Sequence, residues 1–330
     1  TLMATFRNRN GKWQARVARK GQRPIARSFQ SKQDAERWAR QVESDIDKGA
    51  YTNLALAERT TLKELIERYI VEVTALSRSA KEDTFRLNAL SRDPLAALNV
   101  TGLTPSQVAK YRDRRLKYVS NGTVIRELSY LSSIINHARR EWGINAANPI
   151  PLVKKPPSPQ GRNRLLSEAE IMRLLDALKP RIKSSNIWMQ SLVSFALESG
   201  MRRGEMLGLT WVNVNFDSHT AHIPLTKNGD PRTVPLSSAA INILRAMPRH
   251  ISGKVFPINP PTVSASFDTA RKRAEIVDFH FHDLRHMAIT RMAEKLPNLI
   301  ELSAVSGHKS LAMLKRYYHP TPALLAQKLG

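Results

Sequence analysis

The sequence predicts a multidomain, mainly α-helical protein. A small β-sheet-plus-helix module is expected at its N-terminus, and a small antiparallel β-sheet is expected inside its last, mostly helical domain. Three observations lead to this fold class. The length of 330 residues exceeds that of one average domain. Apolar residues recur at helical spacing along most of the chain, whereas alternation typical of strands is confined to two short stretches. A proline-rich segment interrupts the helical pattern near the middle.

The composition points to a polyanionic partner. Lys and Arg number 52 against 28 Asp and Glu, which gives a net charge of +24. Because this charge is spread over segments that also show apolar periodicity, it favours nucleic acid over a membrane surface as the partner. Cysteine is absent, which excludes disulfides, thiolate metal sites and a cysteine nucleophile. No apolar run reaches the roughly 18 residues of a membrane span, so we expect a cytoplasmic protein.

Residues 1–55 are predicted to form a basic N-terminal module. Residues 1 to 29 contain eight Lys or Arg and no acidic residue. Alternation in "KWQARVA" places Trp13, Ala15 and Val17 on one face of a strand, and "SKQD" then opens an amphipathic helix. Such a sheet fits a DNA major groove, although a basic surface without groove preference is the alternative. The candidate DNA contacts in this module are Arg7, Arg9, Lys12, Arg16, Arg19 and Arg27.

The middle of the chain is predicted to be a helical domain over residues 60–145. A capping-box pattern, "TLKE", opens it at Thr61, and its last helix should stop near Gly143. The helix that contains "KYRDRRLKY" supplies Lys110 and Arg114 as candidate phosphate contacts, with a merely solvated face as an equal alternative. Prolines then predict an extended, basic linker over residues 146–163, where the candidate DNA contacts are Lys154 and Lys155.

Residues 164–330 are predicted to form the third domain, in which four separated patches hold the residues suited to chemistry. "ESGMRRGE" places Arg202 and Glu205 one turn apart after a glycine. Lys227 in "LTKNGD" lies where a β-hairpin begins to turn. "HFHDLRH" puts His282 and Arg285 on one helix face, and the fourth patch, "GHKSLAMLKRYYHP", contains His308 and two adjacent tyrosines.

The fourth patch requires a break in its helix. His308 and Tyr317 are nine residues apart and would point to opposite sides of a continuous helix. Gly307 is expected to end one helix and Ser310 to cap the next, and a further bend near Arg316 would bring a tyrosine back towards the histidine.

Each patch alone has a plain structural explanation. An Arg and a Glu three residues apart are commonly a surface ion pair, a turn lysine is commonly solvated, and paired tyrosines commonly pack. His282 and His286 could suggest a metal, but the absence of Cys and the presence of only Asp278 and Asp283 nearby argue against zinc. We therefore expect neither a metal nor a cofactor.

Together the four patches resemble the tyrosine recombinases, also called phage-type integrases, over residues 165 to 319. That family carries an Arg in "GxRxxE", a Lys on a β-hairpin, an "HxxR" pair, and "GH" followed by a nucleophilic Tyr. This chain reads GMRRGE, TKNG, HDLR and GH in the same order, with Tyr317 at the family spacing. The helical segment is similar to the family's core-binding domain and the N-terminal module to its arm-type DNA-binding module. "HFHDLRH" and "MLKRY" also resemble shufflon-type DNA invertases.

The resemblance implies a role for each residue. Tyr317 would attack a DNA phosphodiester and form a 3′-phosphotyrosine without ATP or metal, with Tyr318 as the alternative nucleophile. Arg202 and Arg285 would bind the nonbridging oxygens, and His308 would donate a hydrogen bond to one of them. His282 is the candidate base, Lys227 the candidate acid for the 5′ oxygen, and Glu205 would orient the site.

The resemblance also implies partners: double-stranded DNA with core and arm sites, a homotetramer on DNA, and accessory DNA-bending proteins. We expect a site-specific recombinase that integrates and excises a mobile element such as a prophage. The alternatives are a shufflon-type invertase, a type IB topoisomerase and a catalytically silent DNA-binding regulator. The tail "TPALLAQKLG", with Leu324, Leu325 and Leu329, would dock on a neighbouring protomer or pack on its own domain.

Overall fold

The computed structural model describes most of the chain as two compact units, Thr1–Gln160 and Gly161–Gly330. The described residues are 3–18, 24–47, 55–159, 161–162, 164–180, 187–224, 231–317, 326–327 and 329. Within these ranges, no helix has the length and apolar character that crossing a bilayer requires.

An antiparallel sheet and one helix form the first part of unit one. The elements are β1 (Met3–Arg9), β2 (Lys12–Ala18), β3 (Ile25–Phe29) and α1 (Lys32–Asp47), with strand order β1-β2-β3. Ala15 and Val17 of β2 are buried with Ala35 and Ala39 of α1, which confirms the face that the alternation predicted. The sequence reasoning did not single out β1, which β2 follows through a two-residue turn.

Five helices form the second part of unit one. They are α2 (Ala55–Arg59), α3 (Leu62–Glu72), α4 (Ala80–Ser91), α5 (Pro105–Leu116) and α6 (Asn121–Glu141). The predicted capping box is present: Thr61 Oγ1 accepts from the Glu64 amide, and the Glu64 carboxylate accepts from the Thr61 amide at 2.6 Å. Helix α6 buries its inner stripe at helical spacing, including Val124, Leu128 and Leu131. Within residues 60–145 the structure contains no β-strand, as predicted.

The first residues of the predicted linker pack on these helices. Ile150 and Val153 are buried in the same apolar cluster as α6, and Asn148 donates hydrogen bonds to Ser132 Oγ at 2.8 Å and Asn136 Oδ1 at 3.1 Å. The prolines exclude an α-helix here but not a 3₁₀ turn, which covers Ile150–Leu152, so the segment is not extended throughout as predicted, and it is partly buried. Compact packing in unit one therefore extends well beyond residue 145.

Unit two consists of eight helices and a three-stranded antiparallel sheet within its described residues. The helices are α7 (Glu168–Ala177), α8 (Met189–Ser199), α9 (Arg203–Gly208), α10 (Ser238–Arg245), α11 (Pro260–Arg273), α12 (Asp283–Lys295), α13 (Leu299–Ser306) and α14 (Leu311–Leu314). The strands, in spatial order, are β4 (Val214–Asn215), β5 (Thr220–Ile223) and β6 (Arg232–Pro235). The pairing of β5 with β6 confirms the predicted hairpin, whose "KNGD" turn lies outside the described residues.

Helix α8 forms the centre of unit two. Its residues are apolar on almost every side, and those fully buried include Leu192, Val193 and Phe195. It packs between α10 and α12. A helix that is apolar all round has to be surrounded by other elements, so its C-terminal end is fixed inside the domain. The candidate active site is built at that end.

Candidate active site

The first part of the site lies where α8 ends and α9 begins. Gly200 ends α8 in the left-handed conformation, with φ of +60°, and the chain then places Arg202 directly before α9. The Glu205 carboxylate is almost fully buried. It accepts from Arg202 Nη1 at 2.9 Å and from the Arg202 backbone amide at 3.0 Å. This confirms the local structure predicted for "ESGMRRGE".

A second arginine comes from α12. Arg285 is 5% exposed, and its guanidinium donates to the carbonyl of Gly200 at 2.5 Å and to that of Ser306 at 2.6 Å. Burial lowers the pKa of Arg285 to about 10, and the charge of Arg202 acts in the same direction. Arg285 therefore joins the C-terminal ends of α8 and α13 and remains charged at neutral pH.

A third arginine, Arg232 of β6, was missed by the sequence reasoning. It donates to Glu205 Oε2 at 2.8 Å and to the Val305 carbonyl at 2.9 Å. Burial by itself would raise the pKa of Glu205, but hydrogen bonds from Arg232 and Arg202 lower it below its ordinary value. The available signal was the position of Arg232 in the sequence, five residues after Lys227.

The three arginines meet at the end of α13. Three consecutive carbonyl groups there, those of Val305, Ser306 and Gly307, accept from Arg232, Arg285 and Arg202 respectively. The last carbonyls of a helix lack partners within the helix and carry the negative end of its dipole. The end of α13 therefore holds three guanidinium groups side by side, with Glu205 as the carboxylate that contacts two of them.

The predicted break between His308 and Tyr317 is present. Gly307 ends α13 with φ of +68°, Ser310 precedes α14, and a 3₁₀ turn covers Lys315–Tyr317. The rings of His308 and Tyr317 consequently lie 6.2 Å apart. The Ser310 hydroxyl makes no capping hydrogen bond, so it is the glycine and the turn that bring the two residues together.

The hydroxyl of Tyr317 forms a hydrogen bond with Nδ1 of His286, and the two rings stack at 5.9 Å. Burial raises the pKa of Tyr317 above its ordinary value of 10.0, although Arg316 and Arg285 oppose this rise. Burial, followed by the charge of His282, lowers the pKa of His286 below its ordinary value of 6.5. The tyrosine is therefore protonated at neutral pH, and the histidine beside it is neutral.

His308 is oriented by the end of α13. Its Nδ1 lies 2.7 Å from Ser306 Oγ, which donates to the Leu302 carbonyl at 2.6 Å. Because a hydroxyl has one proton, Ser306 accepts from Nδ1–H, and Nε2 is left for another partner. Burial, and then the charge of Arg285, lowers the pKa of His308 to about 4. At neutral pH the ring is therefore neutral with its proton on Nδ1, and Nε2 can donate to an anion only after it takes up a proton.

The segment before α7 contacts the chain next to Tyr317. The Arg162 carbonyl accepts from Arg316 Nη2 at 2.9 Å. The Arg162 guanidinium contacts His280 and lies 3.5 Å from the carboxylate of Asp283, at the start of α12. Burial raises the pKa of this carboxyl group. These contacts link the start of unit two to both chain segments that meet at Tyr317.

The remaining predicted catalytic residues are His282 and Lys227. His282 is exposed directly before α12, with its ring 5.3 Å from that of His286, and it lines a cleft together with Arg202 and Phe281. Lys227 lies outside the described residues, as does Tyr318. Among the residues that the structure describes, no three His, Cys, Asp or Glu side chains are grouped so that they could hold a metal ion.

The candidate DNA contacts of the N-terminal module divide between two faces of the sheet. Pairing places Arg7, Arg9, Lys12 and Arg16 on the face away from α1. Arg27 pairs with Ala15 and so lies on the other face, with its guanidinium 6.0 Å from the centre of the Phe29 ring. Arg19 lies outside the described residues.

The other candidate DNA contacts are all exposed, and one of them forms an ion pair. Lys110, Lys154 and Lys155 are exposed. Arg114, although exposed, forms an ion pair with Asp93 at 2.5 Å. Its neighbour Arg115 bonds to Glu127 at 2.6 Å, so the basic helix does not present all its charges on one free face.

The site places a half-buried tyrosine beside two histidines and close enough to Arg285 and Arg316 for their charges to act on its hydroxyl, a layout that suits attack of the tyrosine on a phosphate group. Comparison with known proteins agrees. Residues 164–323 match the model of the phage integrase family. The chain is 38% identical over 280 residues to the shufflon-specific DNA recombinase of Escherichia coli, covering 82% of this chain and 72% of that protein.

Among the solved structures that share the fold are two integrases. One is the lambda integrase tetramer bound to a Holliday junction, with TM-score 0.65, 20% identity, and coverage of 96% of this chain and 94% of that chain. The other is the Tn1549 transposon integrase in complex with circular intermediate DNA, with TM-score 0.63, 18% identity, and coverage of 82% and 99%. The chain belongs to the phage integrase family and is a tyrosine site-specific recombinase.

Proposed function

We propose that this protein cuts and rejoins DNA strands through a 3′-phosphotyrosyl intermediate on Tyr317. One observation carries the proposal: the Tyr317 hydroxyl is hydrogen-bonded to His286, the Tyr317 ring lies 6.2 Å from that of His308, and the charge of Arg285 acts on the hydroxyl. A scissile phosphate placed beside that hydroxyl would meet the cationic surface at the end of α13.

The geometry suits the charge that develops during attack on a phosphodiester. Arg202 and Arg285 are held by helix-end carbonyls before DNA arrives, so little reorganisation is needed when negative charge builds on the nonbridging oxygens. His308 Nε2 is available to the same phosphate, and its low pKa in the free protein should rise once the anion neutralises the surrounding cations. Glu205 positions the arginines and does not touch DNA.

The departing 5′ oxygen needs a proton, and we assign its delivery to Lys227 on the β5–β6 hairpin. The phosphotyrosine conserves the energy of the broken bond, so the 5′ hydroxyl can attack it in turn without ATP. No metal is required in this scheme, since the guanidinium groups supply the positive charge.

We assign the biological reaction to integration and excision of a mobile element such as a prophage. The basic face of the N-terminal sheet supports this, because a second DNA-binding module suits a protein that holds arm sites as well as core sites. Inversion is the second candidate, favoured by the 38% identity to the shufflon recombinase. A plasmid with two inverted sites tests inversion, and two separate DNA molecules with one site each test integration.

We propose that the active assembly is a homotetramer on double-stranded DNA, by analogy with the lambda integrase tetramer. Within each chain, we assign residues 1–55 to an arm-type module, the helical part from residue 60, extended by the buried residues Ile150 and Val153 of the predicted linker, to the core-binding domain, and residues 164–330 to catalysis. Accessory DNA-bending proteins and a nucleoid location in the bacterial cytoplasm fit this role. Most of the tail proposed to reach a neighbouring protomer, including Leu324 and Leu325, lies outside the described residues.

The test is covalent capture by the full-length chain. A pool of nicked duplexes with random sequence selects cleavable sites, after which denaturing gels and mass mapping locate the adduct. Tyr317→Phe should abolish the adduct and leave DNA affinity unchanged within about fivefold, since it removes one hydroxyl worth about 1 kcal/mol.

Three other outcomes would contradict the proposal. An adduct on Tyr318 would move the nucleophile by one residue. Tight binding without any adduct would favour the silent regulator. Relaxation of any supercoiled plasmid without a selected site would favour a topoisomerase.

A further inference from the structure

The geometry points to His286 as the group that accepts the proton of Tyr317 during strand cleavage. This inference rests on the proposed role of Tyr317 as the nucleophile. The sequence pattern pointed to His282, which precedes Arg285 by three residues. In the structure, the hydrogen bond of the Tyr317 hydroxyl goes instead to Nδ1 of His286, one helical turn further along α12.

The position of His286 is fixed by packing on several sides. It is part of α12, the same helix that carries buried Arg285, and its ring stacks on that of Tyr317 with an interplanar angle of 27°. The edge of the His282 ring meets it at 85°. A base that is stacked on the nucleophile and bonded to the reacting atom meets the geometric requirement of general base catalysis before DNA binds.

The electrostatic surroundings keep His286 neutral and able to accept a proton. Burial, His282 and Arg316 each lower its pKa. The charged and titratable groups around it are His282, Asp283 and Arg285 on its own helix, Arg316 and Tyr317 on the 3₁₀ turn, and His308 after α13. Asp283 is the member of this set that opposes the others.

The atoms balance in the proposed step. The Tyr317 O–H bond breaks and its proton moves to Nδ1 of His286, while the tyrosine oxygen forms a bond to phosphorus. The bond from phosphorus to the 5′ oxygen breaks, and that oxygen takes a proton from a separate acid, which we assign to Lys227. On rejoining, the 5′ hydroxyl returns its proton to Lys227 as its oxygen bonds to phosphorus, the bond from phosphorus to the tyrosine oxygen breaks, and that oxygen recovers its proton from His286.

Acceptance of the Tyr317 proton by His286 can be distinguished from a role in which His286 only positions the tyrosine. Asparagine at position 286 can place an amide atom where Nδ1 lies, so His286→Asn can retain a hydrogen bond to Tyr317 without accepting a proton. His286→Ala removes both functions. Comparing the two variants separates orientation from proton transfer, provided that each binds the selected duplex as the wild-type chain does.

The experiment measures adduct formation by the full-length chain on the captured duplex between about pH 6 and pH 9. The wild-type rate should be nearly flat above the pKa of His286. We expect His286→Asn to be slower by about 10²- to 10⁴-fold at neutral pH, with a rate that rises about tenfold per pH unit as Tyr317 itself ionises. A wild-type rate and pH profile in His286→Asn would overturn the inference.

A second substrate excludes a role for His286 at the leaving group. When the 5′ bridging oxygen is replaced by sulfur, the leaving thiolate needs no acid. His286→Asn should remain slow on this duplex, and recovery to the wild-type rate would show that His286 protonates the leaving oxygen instead. Absence of a wild-type adduct on Tyr317 would refute the proposed nucleophile, a result distinct from either outcome for His286.

Discussion

At the residue scale, Glu205 determines how the arginines of the site are held. Its buried carboxylate accepts from Arg202 and Arg232, and through them it is linked to the carbonyls at the end of α13. A carboxylate buried among cations is costly to remove, because its partners are then left with uncompensated charge. Its contribution should therefore be visible both in stability and in activity.

We expect Glu205→Gln to lower the free energy of unfolding by on the order of 3 kcal/mol at pH 7, because a buried ion pair loses one partner. Adduct formation should fall by about 10²-fold as Arg202 shifts from its position. Urea unfolding followed by circular dichroism, together with capture assays, measures both effects. Glu294→Gln makes the same chemical change at an exposed position of α12 and should alter neither quantity.

The pKa of Glu205 determines the pH range over which wild type is more stable than Glu205→Gln. The pKa of Glu205 in the folded protein lies below its ordinary value of 4.5. The stability that it contributes is therefore complete above pH 4.5 and is lost as the pH falls through the folded-state value. The difference between wild type and Glu205→Gln should shrink below pH 4.5. A difference that stays constant down to about pH 3 would contradict the assigned ionisation.

Sequence motifs identified most of the site at this scale but not its contacts. The positions of Arg202, Glu205, Arg285, His308 and Tyr317 follow from spacing within short segments. Arg232 and His286 act through partners 27 and 31 residues away in the chain, namely Glu205 and Tyr317. No local periodicity reports such contacts, since they depend on how β6 and the 3₁₀ turn fold back onto α9 and α12.

At the element scale, the end of α13 organises the site. Its last three carbonyls bind three arginines, and the backbone then turns at Gly307 towards His308 and Tyr317. A Cβ atom added at Gly307 would lie 2.6 Å from Arg232 Nη1, so this residue combines a left-handed backbone with close approach of a side chain.

We expect Gly307→Ala to cost about 1–2 kcal/mol of stability from backbone strain, and to displace Arg232 in addition. Gly253→Ala is the matched control, because Gly253 has φ of +70° and a Cβ atom added there would meet only open space. Thermal unfolding should report a similar strain for both variants, whereas adduct formation should fall sharply in Gly307→Ala alone. Equal activity in the two variants would show that the contact with Arg232 does not matter.

Element prediction succeeded where a signal was local. The capping box at Thr61, the hairpin β5–β6 and the break at Gly307 were predicted from a few residues each. Strand β1 was missed, although Asn10 and Gly11 between β1 and β2 carry the Asn-Gly turn signal and both have positive φ. The burial of Ile150 and Val153 could not be predicted, because proline content reports backbone conformation and not what the segment packs against.

At the scale of the whole molecule, the net charge of +24 makes DNA affinity depend on salt. Each phosphate contact releases condensed counterions, so the logarithm of affinity falls with the logarithm of salt concentration by about 0.9 per contact. Total charge does not decide which residues contribute. The sheet of the N-terminal module allows this to be tested, because its arginines differ in the face they occupy and not in their charge.

We expect Arg16→Ala to weaken binding of the full-length chain to long duplexes and to reduce the salt slope by about one, because Arg16 lies on the face shared with Arg7, Arg9 and Lys12. Arg27→Ala removes the same charge from the opposite face, beside Phe29, and should change the slope much less. Fluorescence anisotropy at several salt concentrations measures both slopes. Equal reductions of the salt slope by the two variants would mean that the module binds DNA through its charge alone, without a defined face. A larger reduction by Arg16→Ala would support binding of DNA to the face of the sheet that lies away from α1.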